Sequence, residues 1–94
     1  MSSERHILCI EDEADIQEII AYNLKRAGYL VTLADDGIKG LELAQTQNPD
    51  LILLDIMLPS LNGMQVCERL KADPKTLSIP IIMLSARSEE ADII

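Results

Sequence analysis

Three acidic residues, Glu11-Asp12-Glu13, follow one apolar run directly, and a single aspartate, Asp55, follows another. Ser85 stands in the same relation to a third. If those runs are neighbouring strands, Glu11, Asp12 and Asp55 converge in one crevice. Carboxylates gathered in this way repel: at ~5 Å and an effective dielectric of ~20, each pair costs about 3 kcal/mol. A cation relieves that cost. An all-oxygen ligand set at a shallow site favours Mg²⁺, which keeps several waters and binds through one or two carboxylates. Beside such an ion Asp55 stays ionised and can attack a phosphorus, while the cation offsets charge on the phosphoryl oxygens. The product would be a labile acyl phosphate, which suits a signal that must reset. Ser85 is placed to hydrogen-bond a phosphoryl oxygen.

Each residue also has a plainer reading. Asp12 or Glu13 could cap the first helix. Ser85 could be an ordinary hydroxyl at a strand end. Asp55 is harder to dismiss, because Leu51-Ile-Leu-Leu precedes it and Ile56-Met-Leu follows, and an ionisable group in apolar surroundings is costly. His6 is the single histidine, with no second one to build a site, and is expected to be exposed. Met57, Met64 and Met83 read as core filler. Pro59 and Gly63 read as turn residues that shape the loop after Asp55. Cys9 and Cys67 are too few and too far apart for a metal knuckle or disulfide framework, so both are expected to be buried free thiols.

The elements that must position these groups alternate along the chain. Apolar runs at 7–10, 30–33, 51–54 and 79–84 read as strands. The continuous Leu51-Ile-Leu-Leu marks a strand covered on both faces, whereas the second run is more weakly patterned and suits a sheet edge. Between them, Ile16, Ile19, Ile20, Leu24 and Ala27 recur at helical spacing before Gly28, which suits a left-handed helix end. Ile38, Leu41 and Ala44 form a second stripe, stopped by Asn48-Pro49. Met64, Cys67 and Leu70 form a third, stopped by Asp73-Pro74. Ser88-Glu-Glu suits the first turn of a fourth helix. Strand–helix alternation of this kind gives an α/β fold with a parallel sheet and right-handed crossovers, whose sites form at the carboxyl ends of strands.

Composition narrows the function. The 94 residues allow one domain, and 48% hydrophobic residues supply an aliphatic core. No run approaches the length of a bilayer span, and no signal peptide opens the chain, so a cytoplasmic protein with no membrane partner is expected. A formal charge of −8 makes this segment a poor ligand for DNA by itself.

Ile7-Leu-Cys-Ile-Glu-Asp-Glu, Asp50-Leu-Ile-Leu-Leu-Asp-Ile-Met-Leu-Pro, Asn62-Gly63 and Ile79-Pro-Ile-Ile-Met-Leu-Ser-Ala resemble, in order, the successive signatures of the bacterial two-component response-regulator receiver domain. The resemblance covers residues 1–94. The loop Leu70-Lys-Ala-Asp-Pro-Lys-Thr-Leu-Ser and the tail Ser85-Ala-Arg-Ser-Glu-Glu resemble the phosphate-regulon type, which carries a winged-helix DNA-binding domain. The resemblance implies a flavodoxin-like, doubly wound sheet of order 2-1-3-4. It implies that Asp55 accepts a phosphoryl group from a sensor histidine kinase. Mg²⁺ would be held by Asp12, Asp55 and the backbone carbonyl of Met57, with Glu11 acting through water. Ser85 would be the hydroxyl that moves toward the phosphoryl group. It further implies a signalling domain rather than an enzyme. Homodimerisation of the full-length protein on phosphorylation, and DNA contact only through an output domain absent here, would follow.

The sequence departs from that pattern at its end. Receivers continue to a fifth strand bearing a lysine that pairs with the phosphoryl group, then to a fifth helix, whereas this sequence stops at Asp92-Ile-Ile. The receiver is therefore expected to be incomplete at its C-terminus, with its fourth strand left as an unguarded sheet edge. Two other readings compete with the phosphoacceptor switch. A haloacid-dehalogenase-type enzyme also uses a strand-end aspartate with Mg²⁺, but it wants a second aspartate where Met57 stands. A degenerate receiver would only bind a partner, and the intact Glu11, Asp12, Asp55 and Ser85 argue against it.

Overall fold

The structure is a computed structural model that describes residues 4–59, 61–84 and 91–93, the last three through their backbone. Its elements are β1 (His6–Ile10), α1 (Ala14–Arg26), β2 (Leu30–Ala34), α2 (Gly37–Gln47), β3 (Leu51–Asp55), α3 (Gly63–Ala72), β4 (Ile81–Leu84) and β5 (Ala91–Ile93). They build one sheet of order β2-β1-β3-β4-β5. The first four strands are parallel, as the alternation of strands and helices requires, and β2 takes the edge.

Three right-handed crossovers, the first running opposite to the other two, explain the layering. The chain steps from β1 outward to β2 through α1, then back past β1 to β3 through α2 and on to β4 through α3. The reversal puts α1 on one face and α2 with α3 on the other. The second face holds the main core. Leu8, Ile10, Ile52, Leu54, Ile81 and Met83 alternate out of three strands to meet Ala44, Val66, Cys67 and Leu70. Gly40 lets α2 come this close: a Cβ there would lie 2.4 Å from Ile10 Cδ1. On the α1 face Leu51 and Leu53 are only half-buried, so β3 is covered less evenly than its continuous apolar run suggests.

The helix ends follow their expected stops. Gly28 has φ 98°, and Asn48 takes the left-handed conformation (φ 47°) before Pro49. α3 opens with a capping box, in which Asn62 accepts from the Gln65 amide and Gln65 reaches back to the Asn62 amide. The following loop is held by Thr76, fully buried, whose hydroxyl donates to the Leu70 carbonyl at 2.6 Å. Lys71 Nζ donates to the carbonyl of Ile79 at 3.1 Å in the same loop.

Several expectations are corrected. Residues 91–93 form a strand antiparallel to β4, with Leu84 beside Ala91 and Ile82 beside Ile93, not the start of a fourth helix. Starting a helix fixes three residues for one hydrogen bond, whereas the edge of β4 already presents donors and acceptors. Consequently β4 is not left as a sheet edge, and the edges are β2 and β5. The expected helix start at Ser88-Glu-Glu lies outside the described residues. Met57 and Met64 are more than half exposed; only Met83 belongs to the core. Ile19 and Ile38, assigned to buried helical stripes, are also exposed, because each helix turns only a narrow stripe to the sheet. His6 is half-buried, with Nε2 2.7 Å from Thr32 Oγ1 on the adjacent strand.

Candidate functional site

β1 and β3 are direct neighbours, with Ile10 beside Leu54, so the residues just after Ile10 face the end of β3. Glu11, Asp12 and Asp55 accordingly meet: one carboxylate oxygen from each lies within 4.8 Å of the others. Asp12 is exposed, whereas Glu11 and Asp55 are buried.

Glu11 is held at three points. Its amide donates to the Ala34 carbonyl at 3.0 Å, which carries the β1–β2 ladder one residue past the strand. Its Oε2 accepts from the Glu13 amide at 3.0 Å, and its carbonyl accepts from the side-chain amide of Gln17. Glu13 is the N-cap of α1 but makes no side-chain capping bond, and Asp12 is not the cap, so the helix-capping reading of this acidic run fails. Burial pushes the Glu11 carboxyl up to about 7; the Glu13 amide opposes the shift, and the carboxylates of Asp55 and Asp12 add to it.

Asp55 is fixed from the other side. Its Oδ1 accepts from the Met57 amide at 3.0 Å, which turns the chain out of the strand. The Ile56 amide donates to Leu84, and the Ile56 carbonyl accepts from Gly63, each at 3.0 Å, so the loop closes directly onto α3. Gly63 is not simply a turn residue. It opens α3, and a Cβ there would lie 2.4 Å from the Asp55 carbonyl oxygen. A cleft of about 500 Å³ beside the carboxylates is lined by Asp12, Ile56, Met57, Leu58, Pro59, Asn62 and Met64. Ser85 lies outside the described residues; Leu84, the residue before it, sits beside Asp55 in the β3–β4 register.

The donor set fits a small divalent cation. All three side chains offer oxygen, one of them is open to water, and two are buried close enough to repel by ~3 kcal/mol at an effective dielectric of ~20. Nothing soft or nitrogenous enters the cluster among the described residues: the nearby Cys9 thiol is buried and pushed up to about 12, first by burial and then by the charges of Glu11 and Asp55. Sequence reasoning placed the three carboxylates but missed Gln17, whose reach back to Glu11 has no local signature, and the contact role of Gly63, to which Asn62-Gly63 gave a partial clue.

Comparison with known proteins agrees with this geometry. A family model described as the response regulator receiver domain matches residues 7–94. The chain is 47% identical over 88 residues to the alkaline phosphatase synthesis transcriptional regulatory protein PhoP of Bacillus subtilis, covering 94% of this chain and 36% of that protein. It is 48% identical over 86 residues to the DNA-binding dual master transcriptional regulator RpaA of Synechocystis, covering 92% and 36% respectively. It thus spans about a third of the length of these relatives. Among solved structures, the receiver domain of the sensor histidine kinase PA1611 of Pseudomonas aeruginosa superimposes with a TM-score of 0.87 at 35% identity. That alignment covers 94% of this chain and 72% of the other, which holds a magnesium ion in its active site cleft. No helix among the described residues is long and apolar enough to cross a membrane.

Proposed function

Because this chain belongs to the response regulator receiver domain family, we propose that it is a phosphoacceptor switch in which Asp55 takes a phosphoryl group from a sensor histidine kinase. The observation that carries this reading is the convergence of Glu11, Asp12 and Asp55 within 4.8 Å at the carboxyl ends of β1 and β3. A bound Mg²⁺ would shield the cluster and the phosphoryl oxygens. Asp12 and Asp55 would hold it directly, together with the Met57 carbonyl, and Glu11 would act through water.

An Asp55 carboxylate oxygen attacks phosphorus in line with the departing imidazole of a phosphohistidine. The O–P bond forms as the N–P bond breaks, and the imidazole leaves with the electron pair. Asp55 is suited to this because its Oδ1 is already tied to the Met57 amide, which leaves Oδ2 as the attacking atom. Ser85 supplies a hydroxyl to a phosphoryl oxygen. The domain acts as a signalling element rather than a turnover enzyme. Its output is transcriptional, through a DNA-binding domain beyond this segment, with a phosphorylated homodimer as the active form in the cytoplasm.

Incubation with acetyl phosphate and Mg²⁺, followed by intact-mass measurement, tests the reading. One added phosphoryl group, absent in Asp55→Asn and lost on treatment with EDTA beforehand, is expected. Continuous release of phosphate without a labelled intermediate would indicate a hydrolase. No label under any condition would indicate a binding-only domain.

A further inference from the structure

We infer that Gln17 is a positioning residue for the cation site: its side-chain amide holds the Glu11 carbonyl, and so aims the acidic turn at Asp55. The inference rests on the reading of Glu11, Asp12 and Asp55 as a cation site.

Gln17 stands one turn into α1, four residues after the N-cap Glu13, and is half-buried. Glu13 makes no side-chain capping bond, so the start of α1 lacks the usual device that fixes a helix to the strand before it. Two bonds replace it, and both converge on Glu11. The Glu13 amide donates to Glu11 Oε2, and Gln17 Nε2 donates to the Glu11 carbonyl.

The two bonds differ in what a cation does to them. The first uses an oxygen of a carboxylate that belongs to the acidic cluster, so a cation or its waters can draw that carboxylate away from the Glu13 amide. The second uses a backbone oxygen of Glu11 that is not part of the cluster, and it survives loading of the site. Once that carboxylate is engaged, Gln17 is the remaining link between α1 and the Glu11 backbone on the helix side. On the strand side the Glu11 amide is anchored to Ala34 at 3.0 Å. Gln17 and Ala34 therefore grip Glu11 from opposite ends of the residue, and the direction in which Asp12 leaves the strand is set between them. Gln17 contacts neither the phosphoacceptor nor a ligand oxygen in this arrangement; it acts through the Glu11 backbone.

Gln17→Met keeps the length of the side chain and removes its donor. Gln45→Met is the matched control, because it deletes another side-chain amide bond, the 2.8 Å bond to Asp73 Oδ2, between α2 and the end of α3. Mg²⁺ titration by calorimetry or amide chemical shifts, with melting in EDTA, reads the outcome. Gln17→Met is expected to bind Mg²⁺ about tenfold more weakly, the lower end of the range for hydrogen bonds that hold metal-binding groups in place. Gln45→Met is expected to match the parent chain in Mg²⁺ affinity, whatever its effect on the melting temperature. Unchanged affinity in Gln17→Met, or equal losses of affinity in both variants, would overturn the positioning role while leaving the cation site intact. Failure of the parent chain to bind Mg²⁺ would remove the site itself, and the inference with it.

Discussion

The first residue of α3 lies directly against the last residue of β3: a Cβ on Gly63 would stand 2.4 Å from the Asp55 carbonyl oxygen and 2.6 Å from Ile56 Cα. Both atoms are backbone, so neither can swing away. Gly63→Ala must push α3 from the strand end, and a cost at or above the upper part of the 1–3 kcal/mol usual for overpacking is expected, about 3 kcal/mol. Urea unfolding measures it. A loss below about 1 kcal/mol would show that the helix start shifts freely. The same substitution should slow labelling of Asp55, because the strain falls on the residue that carries the acceptor.

Stability of the metal-free chain should fall as pH rises from about 4.5 to 7. The Glu11 carboxyl is pushed from its ordinary 4.5 to about 7 in the fold. Between those values the folded state holds a proton that the unfolded state has released. The contribution is therefore complete below 4.5 and is lost as pH rises through 7. Mg²⁺ needs the ionised cluster, so its stabilising effect should be greater at pH 8 than at pH 5, reaching about 1.4 kcal/mol at a tenfold excess over its dissociation constant. Melts at the two pH values, with and without Mg²⁺, check both statements. An equal Mg²⁺ shift in Asp55→Asn would detach the ion from this site.

Both thiols should resist reagents in the native state. Cys9 and Cys67 are free and buried. Burial raises each thiol, Cys9 to about 12, so at pH 8 the reactive thiolate is scarce as well as shielded. Labelling should be slow without denaturant and fast in about 6 M guanidinium, where both thiols are exposed. Two fast equivalents under native conditions would contradict the placement of these residues in the core.

Thr76→Val should cost about 1–2 kcal/mol without touching the site. The two side chains have the same shape, but the buried hydroxyl donates to the Leu70 carbonyl at 2.6 Å, which the valine would leave unpaired. Mg²⁺ affinity should stay at the parent value, since Thr76 lies in the loop between α3 and β4, at the amino ends of the strands. A stability change near zero would mean that water replaces the hydroxyl.

The local signals were strong wherever chain geometry alone decides. Apolar runs ending at Ile10, Leu54 and Leu84 are short enough to be strands, and Gly28, Asn48-Pro49 and Asp73-Pro74 stop helices by their own backbone preferences. With strand–helix alternation and right-handed crossovers, those signals placed Glu11, Asp12 and Asp55 at the carboxyl end of the sheet. Family resemblance supplied the strand order.

Long-range packing decided the rest. Whether Met57 and Met64 lie inside or outside depends on how the loop after β3 and the first turn of α3 pack against the sheet, which leaves both lining the open cleft. Residues 91–93 carry no strong helix or strand pattern of their own, so the open edge of β4 claimed them. Gln17 and Gly63 have roles only because α1 and α3 approach the ends of β1 and β3 closely. Residue type and spacing determine which carboxylates can meet, because strands end where their apolar runs end. Tertiary contact decides what holds those carboxylates in place, because a hydrogen bond from Gln17 to Glu11, or a missing Cβ under Asp55, exists only after the elements have packed.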